Sequence, residues 1–509
     1  MPERKSVLLV TVDCLRADHC GFMGYPRPTT PFLDALAGQS FVFPTAIVAG
    51  TPTYYSFPAI LASRYPLAWG REVLGLAVEE ENLATAFKED GYTTAFFGAA
   101  NPYLSPQFGY DFGFDMFCDF LDADLVPTSN SDGDSTERDH WPGNFNQVLS
   151  SVSHKVPGLG AAYDELYFQY CQRWAARTPQ SLDALRRFPA ADVIVDRAQK
   201  WLASVGEQPF FLWLHFMDPH APYYPKEEAL KILAAPRLTA SRASYLNESW
   251  NRFDIGNNRL RHYREEIIAL YDAGICWVDA QLSNLAGTLR QFKLWDNCIV
   301  AFTADHGEQF LEHDGRYHAP SSAEELIRVP LLLRVPTQAH KALSSNPFSL
   351  LHLAPTLLEA AGSPIPKEFR GESHWPHIKS GASWSEPAIA ECIVGCPNPF
   401  HFEQRRGSRL LTVRETKYKL VLNCETHTEH LYDLESDPHE RSPLHEQTEK
   451  PQRRRLLEIA LAHLRRHAQQ RNSESYLRTR MKEILLNSTG TAPEGVVSAT
   501  LHSAANQLG

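Results

Sequence analysis

Two stretches decide the fold. Val7-Leu-Leu-Val-Thr-Val12 runs straight into Asp13, and Cys298-Ile-Val-Ala-Phe-Thr-Ala304 runs into Asp305, His306 and Gly307. Both are apolar on each face, the pattern of a strand buried in a parallel sheet. Both end in an acid. In open α/β sheets ligands bind beyond the carboxyl ends of strands. A lone aspartate at such a place reads equally well as a helix cap. Two carboxylates and an imidazole from separate strands can instead converge on one divalent cation.

Outward from these strands, helical and extended stretches alternate. Glu81 to Asp90 reads as a helix ended by Gly91, and Thr93 to Phe97 as a strand. A helical stretch from Ala191 to Val205 precedes the apolar strand Phe210 to Leu214. From Glu265 to Gln291 the apolar residues Ile267, Leu270, Ile275, Val278, Leu282, Leu285 and Leu289 recur every three or four positions, which predicts a long helix. This alternation predicts an α/β fold, a doubly wound sheet with helices on both faces.

The rhythm breaks at 119–189, which is rich in Ser, Asp and Pro and reads as an insertion beside the site, and again at 222–260. Past Pro387 the stretches Leu410–Arg414, Tyr418–Leu422 and His430–Asp433 predict a small antiparallel subdomain. The expected organisation is a catalytic α/β domain over 1–387, a C-terminal subdomain over 388–445, a basic helical tail over 446–486 and a disordered end over 487–509. Arginines 453, 454, 455, 465, 466 and 471 load the tail with positive charge, while Leu456, Ile459, Ala460 and Leu464 form an apolar side expected to dock on the body.

Composition excludes several classes. Of 509 residues, 43% are apolar and 21% charged, which is an ordinary globular composition, and the net charge is −11. An acidic chain argues against a nucleic-acid partner. No apolar run approaches the roughly 20 residues that cross a bilayer. The first apolar run is short and ends in Asp13, so it reads as a strand and not as a signal peptide. Nine cysteines without CxxC spacing imply no disulfide framework and suggest a reducing cytoplasm.

Further candidate chemistry lies in Leu214-His215-Phe-Met-Asp218-Pro219-His220-Ala-Pro222-Tyr223, whose prolines stiffen a loop at the same sheet edge, and in Glu308 to His318. Histidine can move a proton near neutral pH. His215 and His313 read as satisfied loop histidines.

Together these residues resemble the sulfatase family of the alkaline-phosphatase superfamily, from Val7 to about Leu444. Val10-Thr-Val-Asp13-Cys-Leu-Arg16-Ala-Asp18-His19 is similar to its opening metal motif, and Gly24-Tyr25-Pro26 through Thr30-Pro31-Phe-Leu33-Asp34 to the continuation. Thr303-Ala-Asp305-His306-Gly307-Glu308 is similar to the second metal motif. Arg328-Val329-Pro330-Leu331, His352-Leu-Ala-Pro355-Thr356 and Leu431-Tyr-Asp433-Leu-Glu435-Ser-Asp437-Pro438 follow in the family's order. The resemblance implies a metal-dependent hydrolase of sulfate or phosphorus esters. It also implies that His220 and His318 contact the transferred group.

At the nucleophile the chain departs from the family's Cys/Ser-x-Pro-x-Arg. The stretch here is Gly50-Thr51-Pro52-Thr53-Tyr54-Tyr55-Ser56-Phe57-Pro58. Matching Ser56-Phe57-Pro58 to the motif puts Ile60 where the arginine belongs. Fixing the register from Arg64-Tyr65-Pro66 and Gly70 puts Thr53 at the nucleophile, with Tyr55 and Phe57 in place of Pro and Arg. The second spacing is also similar to phosphoethanolamine transferases, whose nucleophile is that threonine. Pro58 is best tolerated in a first turn, so the helix is expected to start near Ser56, with Ser56 as its cap and Thr53 just ahead.

Threonine cannot become the formylglycine aldehyde, but its oxygen can attack phosphorus. The implied ligand set is Asp13, Thr53, Asp305 and His306, with Cys14 in place of the family's second acid. That set suits Zn²⁺ or Mn²⁺, with Ca²⁺ and Mg²⁺ left open. The favoured function is hydrolysis of phosphorus esters, phosphodiesters included, through Thr53. A small molecule, glycan or lipid headgroup would carry the ester. An orthodox sulfatase with a modified Ser56 and a decayed fold that only binds remain as alternatives. Arg16 is expected to brace its loop through ion pairs.

Overall fold

A computed structural model describes residues 4–470 apart from 70–73, 78, 122–180, 207, 236–237, 253, 339–342 and 396–406. Most of the insertion read at 119–189, and everything in the tail after 470, lies outside the described residues. In chain order the strands are β1 (Ser6–Val12), β2 (Phe41–Val42), β3 (Ala46–Ile47), β4 (Thr93–Gly98), β5 (Met116–Cys118), β6 (Phe210–Phe216), β7 (Cys298–Ala304), β8 (Gln309–Phe310), β9 (Arg316–Tyr317), β10 (Arg328–Val329), β11 (Leu331–Arg334), β12 (Phe348–Ser349), β13 (Ala388–Val394), β14 (Ser408–Arg414), β15 (Tyr418–Asn423) and β16 (Glu429–Asp433).

The main sheet has the order β2-β11-β7-β1-β6-β4-β5. Its centre is parallel: β1 pairs β7 with Val12 beside Ala304, and pairs β6 with Val12 beside Phe216. All seven residues of β1, β6 and β7 are buried, as their two-faced apolar sequences require. The sheet is nevertheless mixed, because β11 runs antiparallel to β7 and β2 antiparallel to β11. These strands are short, at four and two residues, and the alternation rule does not resolve their direction.

Helices cover the sheet. Pro31–Ala37, Ala191–Val205 and the 28-residue Arg264–Gln291 pack together, while Thr53–Ala62, Leu83–Glu89 and Leu353–Ala361 form another group. Aromatic contacts tie the groups to two residues of β6 three positions apart, with Trp201 against Phe210 and Phe57 against Trp213. A period of two sends these side chains to opposite faces.

The C-terminal sheet is antiparallel in the order β13-β14-β15-β16. Its first strand, β13, was not recognised in the sequence. The basic helix Lys450–Gln470 lies on this sheet, with Leu456 and Ala460 buried among Leu411, Val413 and Leu420. The docked reading of its apolar side therefore holds. Among the described residues no helix is long and apolar enough to cross a membrane.

Candidate active site

Because β1 and β7 are in register, Asp13 and Asp305 leave the sheet side by side. Both are fully buried. Asp305 Oδ1 accepts the backbone N–H of Cys14 (3.3 Å) and of His306 (3.0 Å), whereas its buried Oδ2 receives no hydrogen bond. Asp13 Oδ2 accepts from Asn101 Nδ2 at 2.8 Å. Behind His306, Gly307 packs on the Glu325 carbonyl so closely that a Cβ would not fit, which turns the chain without displacing the imidazole.

His306 Nδ1 lies 2.8 Å from the Gly307 carbonyl, so Nδ1 carries the hydrogen. Nε2 is then directed at Asp13 Oδ1 (3.7 Å), Asp305 Oδ2 (3.5 Å) and Thr53 Oγ1 (3.2 Å). This backbone-fixed tautomer is the form that binds metals. Burial raises the Asp305 carboxyl, and the neighbouring Asp13 charge raises it further. Burial would raise Asp13 as well, but the imidazoles of His220, His215 and His306 overcome it and hold that carboxyl well below its usual range. Two dry carboxylates, an imidazole lone pair and the orphaned Asp305 Oδ2 fit a divalent cation, whose charge would relieve their mutual repulsion. Asp13, Asp305 and His306 offer donor atoms within 4.8 Å of one another.

Thr53 is the first residue of the helix Thr53–Ala62. The expected start near Ser56 is corrected: the Pro52 carbonyl takes the first bonds, from Tyr55 N (2.8 Å) and Ser56 N (3.1 Å), so Ser56 lies inside the helix and does not cap it. Pro58 sits well past the first turn, and the loss of its N–H is tolerated because all ten residues of the helix are buried. Thr53 Oγ1 therefore lies at the positive end of the helix, 3.5 Å from Asp13 Oδ2. Ser56 Oγ is fully buried and makes no hydrogen bond.

His220 and His318 meet at the rim. Their ring centroids are 4.9 Å apart, and His318 lies 4.6 Å from the His306 ring. The His220 imidazole is lowered by burial, while its Nδ1 lies 2.5 Å from the Ala221 carbonyl. Burial also opposes charge on His318, but the Glu308 carboxylate 3.3 Å from its Nδ1 prevails and pushes it up to about 9. Cys14 adopts φ 61° and turns its thiol toward Asp13 Oδ1 (2.9 Å) and His318 Nδ1 (3.2 Å). Burial, then the charge of Asp13, raises that thiol well above its usual range, so it stays neutral.

Three neighbours of the site were missed in the sequence. His215 is not on a loop: it belongs to β6, is fully buried, and places Nε2 3.4 Å from Asp13 Oδ2 with Nδ1 2.9 Å from Thr11 Oγ1. Its mixed apolar surroundings hid it. Asn101 follows β4 at the same sheet edge, and that position was the available signal. Glu308 follows the His306-Gly307 turn and faces His318. His313, by contrast, is an exposed loop residue 3.6 Å from Glu325, outside the site. Asp218 is structural, accepting from Arg186 (2.8 Å) and Ala191 N (3.2 Å). Arg16 braces the loop through Asp18 and Glu312, each at 2.7 Å.

The comparisons with known proteins give the family and the fold. The sulfatase family model matches residues 5–363, and the model for the C-terminal region of N-sulphoglucosamine sulphohydrolase matches residues 313–467. Arylsulfatase K of Canis lupus familiaris is 29% identical over 279 residues, 48% of this chain and 50% of that protein. The chain thus matches about half the length of that relative. Among solved structures, a protein in complex with its substrate D-glucosamine-2-N,6-O-disulfate superposes with TM-score 0.66 at 16% identity, over 93% of this chain and 99% of the other. The phosphonate monoester hydrolase of Agrobacterium radiobacter gives 0.62 at 19% identity, over 92% and 96%. With a family model spanning residues 5–363 and the paired strand-end acids in place, the chain belongs to the sulfatase family of the alkaline-phosphatase superfamily, a family of ester-hydrolysing enzymes.

Proposed function

We propose that this protein is a metal-dependent hydrolase that cleaves phosphorus esters in preference to sulfate esters, with Thr53 as its nucleophile. The observation that carries the reading is the position of Thr53 Oγ1, at the helix N-terminus and 3.2 Å from His306 Nε2, while Ser56 Oγ is buried one turn deeper. The fold's neighbours include both a phosphonate monoester hydrolase and a protein whose substrate is a sulfated glucosamine. Either chemistry suits the architecture, and the side chain at the nucleophile position separates them. A secondary alcohol gives no formylglycine, whereas it can attack phosphorus directly.

Asp13, Asp305, His306 and Thr53 would hold the cation, with Zn²⁺ or Mn²⁺ favoured by three oxygens and one nitrogen. Such a cation supplies positive charge that acidifies a hydroxyl and draws electron density from an ester oxygen. Thr53 Oγ1 forms the bond to phosphorus as the bond to the leaving oxygen breaks. Its hydroxyl proton has Asp13 Oδ2 within reach. His318, held as a cation by Glu308, gives its proton to the leaving alkoxide. The neutral imidazole then takes a proton from the water as its oxygen bonds to phosphorus, and the departing Thr53 oxygen recovers its proton from Asp13. His220 lines the same rim and steadies the non-bridging oxygens. Asn101 and His215 orient Asp13.

The orthodox-sulfatase reading needs Ser56 to be oxidised, and a buried mid-helix hydroxyl is poorly placed for that. The decayed-fold reading leaves the convergence of Asp13, Asp305, His306, His220 and His318 without a purpose. The seven described cysteines are all free, which fits a reducing compartment such as the cytoplasm. The test is a panel of aryl sulfate, aryl phosphate, bis-aryl phosphodiester and aryl phosphonate with Zn²⁺ or Mn²⁺. Faster turnover of a phosphorus ester is expected, and preference for the sulfate would overturn the reading.

A further inference from the structure

A second cluster of metal-binding side chains lies away from Asp13 and Asp305. His352 stands immediately before the helix Leu353–Ala361, His374 ends the loop that follows that helix, and Glu386 lies two residues ahead of β13. One donor atom from each lies within 4.8 Å of the others. The two imidazole rings are 4.5 Å apart, and His352 Nε2 is 3.8 Å from Glu386 Oε2.

The histidines are poorly explained as packing residues. His374 is 5% exposed, wedged between Phe348 and Trp384, and its buried Nδ1 makes no hydrogen bond. Leaving such an atom unpaired is costly, so it asks for a partner. His352 Nδ1 lies 3.1 Å from the Glu372 carbonyl and 3.0 Å from the Glu372 N–H, so the backbone satisfies either tautomer. With Nδ1–H donating to that carbonyl, Nε2 presents a lone pair toward Glu386, the backbone-supported arrangement common to metal-ligating histidines. Burial pushes the His352 and His374 imidazoles down, to about 4 and about 3, so both are neutral at pH 7 and need not lose a proton to bind a cation.

We propose that His352, His374 and Glu386 form a second divalent-cation site of zinc type, which ties the helical layer under the main sheet to the first strand of the C-terminal sheet. Two imidazoles and one carboxylate are an ordinary zinc donor set that leaves a fourth position for water. Bonds of about 2.1 Å to a tetrahedral ion set donors about 3.4 Å apart, so donors that lie within 4.8 Å of one another close by at most about 1.4 Å. Glu386 can contribute to that movement, because its side chain is 61% exposed.

The experiment is equilibrium dialysis of the full chain against Zn²⁺ with metal analysis, for wild type, Glu386→Gln, His352→Gln, Asp305→Asn and the double variant Asp305→Asn/Glu386→Gln. Wild type is expected to bind two Zn²⁺ per chain. Glu386→Gln and His352→Gln should lose one, with affinity for it weakened at least about tenfold. Asp305→Asn should keep this second site, so added Zn²⁺ raises its melting temperature but not that of the double variant. Uptake by Glu386→Gln and His352→Gln equal to wild type would overturn the proposal, as would no Zn²⁺ bound by Asp305→Asn. Glu386 is exposed, so its variant tests the site without disturbing the core, and the Asp305 variants separate this site from the catalytic one.

Discussion

Thr53 Oγ1 lies 3.2 Å from His306 Nε2, and the two residues come from opposite kinds of element: the first turn of a helix and the residue after a strand-end acid. This contact joins the proposed nucleophile to the proposed cation-binding residues. Ser56, three residues along the same helix, has no comparable contact, and its hydroxyl is enclosed.

The first prediction concerns these two hydroxyls. Thr53→Ala should lower kcat on a phosphorus ester by about a thousandfold or more, as loss of a covalent nucleophile does, and leave the melting temperature nearly unchanged. Thr53→Ser should retain most of the rate. Ser56→Ala removes an unpaired buried oxygen, so stability should hold or rise and activity should persist. Steady-state kinetics and thermal melts of the three variants check this.

The His318–Glu308 pair sets a pH limb. The folded imidazole is pushed up to about 9 from an ordinary 6.5, so His318 is protonated at neutral pH. Any stability the pair confers is present below about 6.5 and is lost as the pH rises through about 9. Turnover of an ester with a poor leaving group should fall along the same alkaline limb. An aryl ester with a good leaving group should be less sensitive. Glu308→Gln should move the limb down toward pH 6.5, which a pH–rate profile of each variant reads.

Asn101 should act through Asp13. Its amide is 2.8 Å from Asp13 Oδ2, so Asn101→Ala frees the carboxylate to rotate and leaves Asp305 and His306 untouched. Cation affinity should weaken by about 10- to 100-fold, as expected for a residue that orients a ligand. Titration of the chelator-stripped protein with Zn²⁺ or Mn²⁺, followed by the melting temperature, measures this independently of turnover. Chelation of wild type should itself lower the melting temperature, because the buried carboxylates then repel each other unshielded.

Glu324 gives an acid-stability prediction at the contact with the C-terminal sheet. Burial opposes its charge, but Lys419 at 3.3 Å and Arg414 at 2.9 Å hold its carboxyl down to about 2, against an ordinary 4.5. The lowered value means the ion pairs stabilise the fold above about pH 4.5 and are lost as the pH falls toward 2. Glu324→Gln should destabilise the protein by about 2 kcal/mol at pH 7, because Arg414 loses its carboxylate while the fully buried Lys419 keeps Glu440 at 2.7 Å. The difference from wild type should vanish in acid denaturation only as the pH falls to about 2.

Much of this arrangement was legible in the sequence. Asp13 and Asp305 follow strands whose apolar faces announce burial, so their convergence follows from sheet geometry. The helix Arg264–Gln291 and the strands β4, β6 and β7 were visible because their periodicities are long and uniform. The antiparallel β11 and the strand β13 were not, since four- to seven-residue apolar runs do not reveal their direction or their partner. The start of the Thr53 helix was misplaced because Pro58 argued locally for a first turn, while burial of all ten residues supplied more stabilisation than the missing hydrogen bond removed. His215 looked like part of the loop that follows it. Only pairing of β6 with β1, which sets Thr11 beside His215, puts that imidazole next to Asp13.

The most direct measurement is peptide mass spectrometry of the metal-loaded enzyme, quenched with acid during turnover of an aryl phosphonate or phosphodiester. The account predicts a phosphoryl or phosphonyl group on Thr53, absent from Thr53→Ala, with Ser56 unmodified. An adduct on Ser56, or Ser56 found as the aldehyde in the resting protein, would contradict it.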